Sequence, residues 1–412
     1  MSVDPAERRA RAALTWIVEP ETRGLPALVE RDGPVETWQR LAAGHPDLAP
    51  EGAVALRARS AECRPDDDLD RIQRLGGRFV CPGDDEWPDR LDDLWHAGSH
   101  PPFGLWVRGP ARLADVTRQS VAIVGSRAAS SYGDYMAGEL AAGLGCRDWT
   151  VVSGGAYGID GSAHRGALAV GSPTVVVLAG GVDVPYPRGH ERLFEQVARE
   201  HLVISEAAPG CAPHRARFLV RNRLIAALTR GTVVVEAAAR SGALSTAARA
   251  SGLLRPLLAV PGPVTSTMSA GCHLLIRDRG AVLVCDAEQI LEQVAAVGEF
   301  LPPEPRGPER PEDRLPPTFR QVLEAVPVRR PAGVARIAMI AGVDEPNAKA
   351  ALRALAANRL VEKVTGGWRL QRAVRDGEPE ARPARSPAAH GAALPPVTGA
   401  GDAPQEVLDL GL

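Results

Sequence analysis

Glycine and serine recur wherever an apolar run of this chain stops. "GSR" (125–127), "SGGAYG" (153–158), "AGG" (179–181), "SEA" (205–207), "EAAARSGAL" (236–244) and "PGP" (261–263) each follow a stretch of aliphatic residues. Glycine lets the backbone approach a ligand closely, and a helix that starts after such a turn offers unpaired, partially positive N–H groups. That chemistry suits anions, phosphates above all. One such turn can simply close a tight strand-to-helix connection. Six at equivalent points point to an anion site on one rim.

Arginines stand beside these turns. Between residues 212 and 255 there are eight arginines and a single acid, Glu236. "HRARFLVRNRLIAALTR" (214–230) places Arg217, Arg221 and Arg223 at the start of a helix, where guanidinium forks can meet phosphate oxygens two at a time. A solvated helix face is the bland alternative. Several phosphate sites on one rim fit a polyanion better than a single nucleotide. With aromatic residues at 4% of the chain, backbone contacts are expected to outweigh base stacking.

Other chemistries lack their signatures. There is no G-x-G-x-x-G fingerprint and no P-loop, so neither a nicotinamide cofactor nor a nucleoside triphosphate is indicated. The cysteines, at 63, 81, 146, 211, 272 and 285, form no CxxC pair and no zinc spacing with histidine. No metal and no cofactor are expected. Asp160 and His164, four apart on one helix, are close enough to form a structural pair. Glu236 ends an apolar run and could act as a general base or cap a neighbouring turn. No Ser-His-Asp or Cys-His set emerges from the spacing.

These residues need a scaffold, and the apolar rhythm supplies one. "VAIVG" (121–125), "TVVSGG" (150–155), "TVVVLAGG" (174–181), "LVISEA" (202–207), "TVVVEA" (232–237), "PLLAVPG" (256–262) and "AVLVC" (281–285) alternate with helix-length segments. The runs lack period-two alternation, as strands buried on both faces do. The expected fold is α/β: an extended Rossmann-like, doubly wound, mostly parallel sheet with right-handed crossovers. An N-terminal helical domain (1–78), a sheet domain (79–298), a Pro-rich linker (299–315), a winged-helix domain (316–372) and a disordered tail (373–412) are expected. Within 316–372, three short helices precede a hairpin, "VEKVTGGWRL". Lys349, Arg353 and Arg359 are placed along the recognition helix, facing duplex DNA or a protein. The formal net charge is −2 over 412 residues, which by itself neither implies nor excludes a nucleic acid. "MSVDPAERRARAAL" has no signal-peptide run, and nothing reaches the roughly 20 apolar residues of a membrane span. A cytoplasmic protein without membrane contact is expected.

Seven blocks in order, "VAIVGSRAASSYG", "SGGAYGIDGSAHRGAL", "VVLAGGVDVPYPRGHERLF", "VISEAAPG", "RNRLIAALTRGTVVVEAAARSGALSTA", "AVPGPV" and "LIRDRGAVLV", closely resemble the DNA-processing protein A family (DprA/Smf). The resemblance covers roughly Trp87 to Asp286. It implies binding of single-stranded DNA, a homodimer, and loading of the RecA recombinase in natural transformation or general recombination, without catalysis. Carried over by motif, the DNA groove comprises Gly125, Ser126, Arg127, Ser130, Ser153, Gly154, Gly155, Tyr157, Gly180, Arg221, Asn222, Arg223, Arg240, Ser241 and Gly242. Leu275, Ile276, Val282 and Ile290 are carried over as a dimer surface. Three positions depart from the family pattern. Tyr157 replaces a basic residue and could stack on a base, Arg240 replaces a lysine, and Cys272-His273 replace Thr-Asn. Two rival readings remain: a nucleotide hydrolase of the lysine-decarboxylase-like (LOG) group, whose PGGxGT turn is missing here, and a scaffold that senses a small nucleotide.

Overall fold

The computed structural model describes residues 3–44 apart from 21 and 23, 53–296, 298–300 and 314–371. The chain forms two compact units, 1–303 and 304–412. The expected boundary near residue 78 does not separate compact units: the N-terminal helices share the first unit with the sheet. Most of the expected linker and all of the tail from 373 lie outside the described residues.

All seven runs are strands: β3 (Ser120–Val124), β4 (Thr150–Ser153), β5 (Thr174–Leu178), β6 (Leu202–Ser205), β7 (Gly231–Val234), β8 (Leu257–Ala259) and β9 (Val282–Leu283). Two further strands, β1 (Gly77–Val80) and β2 (Leu105–Arg108), precede them. The nine-stranded order is β1-β2-β6-β5-β4-β3-β7-β8-β9. From β6 to β9 every pair is parallel, whereas β1 and β2 join antiparallel at the β6 edge. The chain winds outward from β3 in both directions, the doubly wound pattern.

Burial on both faces explains the continuous apolar runs. Along β3, Val121 and Ile123 join the core cluster with α7 (Ser131–Gly145), α8 (Ile159–Ala169) and α13 (Ala287–Val294). Ala122 and Val124 point the other way, to the cluster with α10 (Arg215–Leu228), α11 (Ala243–Gly252) and α12 (Ala270–Arg279). α9 (Glu191–Glu200) covers the β5–β6 end, contributing Phe194 and Val197.

The N-terminal helices are α1 (Pro5–Ile17), α2 (Leu25–Asp32), α3 (Pro34–Ala42), α4 (Ala53–Glu62) and α5 (Pro65–Arg74). Proline in the first turn of α1, α2, α3 and α5 sits where a missing N–H costs nothing. Ala12 and Ile72 pack with Phe79 and Trp106, and the Trp106 indole donates to Thr15 Oγ1 at 3.0 Å. A one-turn α6 (Leu113–Arg118) leads into β3.

The second unit holds α14 (Pro317–Ala325), α15 (Val334–Ala341), α16 (Glu345–Ala357) and a hairpin of β10 (Val361–Val364) and β11 (Gly367–Leu370). Asp344 caps α16 by accepting from the Asn347 amide at 2.7 Å. Lys349 and Arg353 are exposed on α16. Arg359, expected on the same helix, lies beyond its end at φ 58°, in the turn that stops it.

Candidate nucleic-acid interface

The parallel strands end on one rim, but its residues divide into two kinds. Ser126, Ser153, Arg221, Asn222 and Arg223 are buried, and of these all but Arg221 belong to the scaffold. Ser153 Oγ donates to the Ile123 carbonyl at 2.6 Å, tying β4 to β3. Arg223 is fully buried, its guanidinium 2.7 and 2.9 Å from the two carboxylate oxygens of Glu206, just past β6. Its expected place in the groove is thereby corrected: Arg223 holds α10 to the β6 turn. Ser130 is the N-cap of α7 and donates to Glu236 Oε1 at 2.6 Å, while its amide donates to Oε2 at 2.9 Å. Glu236 therefore caps the neighbouring turn, and the crevice between β3 and β7 is filled by its own carboxylate. Gly125 packs against Ile159, and Gly180 lies under Cys211 and Pro213, so neither glycine opens onto the rim.

The amides after β4 are also spoken for. The Asp160 carboxylate accepts from the Ala156 amide at 3.3 Å, and the amides of Ile159, Gly161 and Ser162 find backbone carbonyls. An internal carboxyl group thus occupies the nest that the sequence offered to a phosphate. Burial pushes the Asp160 carboxyl up, against the opposing pull of the Arg221 charge and the Ala156 amide. His164 does not pair with Asp160 as expected. Its Nδ1 lies 2.7 Å from Thr174 Oγ1. Thr174 already donates to the Val151 carbonyl, so Nδ1–H is the donor, and burial, which lowers the His164 pKa to about 3, keeps the ring neutral at neutral pH.

What remains open is a cationic, aromatic cluster. Arg221 crosses over Gly154, where any side chain would collide with the guanidinium. It donates through Nη1 to the Val177 carbonyl at 2.6 Å, while its Nε has no hydrogen-bond partner among the described residues. Burial lowers its pKa to about 10, the Asp160 charge opposing and the Arg127 charge adding. It stays charged at neutral pH, desolvated and short of acceptors. Arg127 is exposed and sits 5.2 Å above the Phe218 ring, with Arg221 at 6.0 Å from the same ring. Tyr186, half exposed, packs against Phe218 at 5.3 Å between centroids. Tyr157, 49% exposed, stands edge-on to His190 at 4.9 Å. Gly155, at φ +71°, turns the chain between Gly154 and the Tyr157 loop.

Phe218 and Tyr186 were missed by the sequence reading, which expected little stacking. Phe218 sits three residues before Arg221 on α10, a spacing that puts the two on one helix face. Arg240 and Gly242 are exposed in the turn before α11, and Ser241 Oγ accepts from the Ala243 amide at 3.3 Å. Cys272 is buried, its thiol 3.5 Å from the Val234 carbonyl, and His273 Nε2 donates to the Gly262 carbonyl at 3.0 Å, supporting the "PGP" turn. Of the expected dimer residues, Leu275 and Ile290 belong to the core and Ile276 packs on it, which leaves Val282 exposed on edge strand β9.

A family model described as DNA recombination-mediator protein A matches residues 78–295, more than half of the chain. The chain belongs to that family. It is a family of DNA-binding mediators and not of enzymes, which leaves the hydrolase alternative without support. A putative DNA processing protein DprA of Mycobacterium tuberculosis is 47% identical over 378 residues, covering 90% of this chain and 96% of that protein. DNA processing protein DprA of Streptococcus pneumoniae is 40% identical over 210 residues, 51% of this chain and 72% of that protein. The X-ray structure of DprA from Streptococcus pneumoniae matches with a TM-score of 0.58 at 30% identity, covering 73% of this chain and 99% of that one. Among the described residues, no helix is long and apolar enough to cross a membrane, and no group of metal ligands occurs.

Proposed function

We propose that this chain binds single-stranded DNA across the Arg127–Phe218–Arg221 cluster and, as a homodimer, loads the RecA recombinase onto it. The carrying observation is Arg221: a buried guanidinium with an unanswered Nε, beside an exposed guanidinium and an aromatic face. A flexible strand can bring phosphates to the forks and a base to Phe218 together. A duplex keeps its bases stacked and cannot. Base–aromatic stacking does not read sequence, which suits a mediator acting on any strand. Edge strand β9, with Val282 and Leu283 exposed, is the face that supports dimerisation. The three helices and hairpin of the second unit have the layout of a winged helix, with Lys349 and Arg353 free to meet a partner.

Fluorescence anisotropy with a labelled oligothymidine at two salt concentrations tests the binding. Arg127→Ala should reduce the slope of log K against log salt by ~0.7, the loss of one phosphate contact. Phe218→Ala should cost about 1–3 kcal/mol at unchanged slope. Wild-type affinity and slope in both variants would end the proposal.

A further inference from the structure

Two guanidiniums and an imidazole converge on one carboxylate beside the cluster. Glu19 follows α1. Arg217, in the first turn of α10, donates through Nε to Glu19 Oε2 at 2.9 Å and through Nη2 to Oε1 at 2.8 Å. Arg59 Nη1 of α4 lies 2.8 Å from Oε1, and His214 Nε2 lies 3.3 Å from Oε2. Each oxygen therefore meets two donors of basic side chains. Burial opposes ionisation of Glu19, yet Arg217, with Arg59 and His214, holds its carboxyl below the usual range. The outer side of the set is open to solvent, the side chains of Glu19, Arg59 and His214 being 29%, 40% and 48% exposed, whereas Arg217 behind them is 12% exposed. A fork that grips a carboxylate with two parallel bonds grips a phosphate in the same way.

The position matters as much as the donors. Arg217 and Arg221 are four residues apart on α10, so they neighbour each other along one face, and Phe218 follows Arg217 on the same turn. A strand held at Arg221 and Phe218 runs directly past Arg217.

We infer that Arg217, Arg59 and His214 form a further phosphate subsite of the nucleic-acid groove, which Glu19 occupies and blocks in place of a phosphate. The subsite presupposes the single-strand reading above. The N-terminal helical layer thereby shortens the cationic track with an anion of its own. A strand gains no counterion release from Arg217 while Glu19 stays in place.

Glu19→Gln keeps the shape and removes the charge. The full-length variant, with a 20-nucleotide oligothymidine, is expected to bind several-fold more tightly at low salt, its log–log salt slope steeper by ~0.7–1.4 for one or two added phosphates. Arg217→Ala added to Glu19→Gln should return the slope to the wild-type value. Arg217→Ala alone, which does not depend on how the glutamine packs, should keep the wild-type slope. A reduced slope in that single variant would mean that Arg217 already holds a phosphate, overturning the blocked state. A wild-type slope in Glu19→Gln would overturn the subsite, provided Arg127→Ala still weakens binding in the same assay. If Arg127→Ala also binds as wild type, the failure belongs to the single-strand reading instead.

Discussion

Removing the carboxylate that answers Arg223 separates a scaffold role from a contact role. The Arg223 side chain is 0% exposed and that of Glu206 9%. Glu206→Ala deletes this carboxylate beside a guanidinium in the core. Breaking a buried pair from one side costs about 3–5 kcal/mol, because the remaining charge is left desolvated. A domain's whole stability is typically about 5–15 kcal/mol, so the loss is a large share. With a urea m-value of ~3 kcal/mol per molar for a unit of this size, the midpoint should fall by about 1–1.7 M. Intrinsic fluorescence reads the right unit, since of the seven tryptophans all but Trp368 precede residue 303. Replacing both partners, Glu206→Leu with Arg223→Met, should recover most of the loss, because the desolvation penalty disappears with the charges. The folded double variant should also keep the wild-type salt slope for oligothymidine, unlike Arg127→Ala. A midpoint shift below about 0.3 M in Glu206→Ala would refute the burial argument. So would a slope in the double variant that falls as far as that of Arg127→Ala.

Two further outcomes follow from buried groups near the rim. Burial lowers the His164 pKa to about 3, with the charges of His190, Arg165 and Arg221 adding; the native state therefore binds fewer protons than the unfolded chain between about pH 3 and 6.5. Stability is fully present above the unfolded pKa and drains as pH falls, by ~2 kcal/mol at pH 5. His164→Asn should flatten that part of the urea-midpoint profile, and an unchanged profile would place the acid sensitivity elsewhere. Gly154→Ala should drive the Arg221 guanidinium off its seat, weakening oligothymidine binding at least several-fold while the far-ultraviolet circular dichroism stays native. Wild-type binding would show that the seat does not matter to the strand.

Local pattern carried the sheet. Seven aliphatic runs between glycine turns became seven strands in one sheet, since double-sided burial needs nothing but apolar residues in a row. It missed β1 and β2, whose sequences GRFV and LWVR break the aliphatic run with an arginine each, and which pair antiparallel at the edge of the sheet. The glycine–arginine coincidence picked out Arg217, Arg221 and Arg223 on α10; Arg127 came from the family resemblance, and the fold brings Arg127 and Arg221 to one ring.

The sequence by itself determined which residues could reach that rim and that an anion would suit them. Tertiary structure decided which of them are free to do so. Arg221 and Arg223 are two apart on one helix and identical in type, yet Arg223 meets Glu206 inside the core whereas Arg221 crosses over Gly154 toward the Phe218 ring and Arg127. Ser130 is claimed by Glu236 from 106 residues away. Such choices depend on which side of a helix faces the sheet and which distant carboxylate arrives opposite, and burial of a charge is tolerated only where that partner exists.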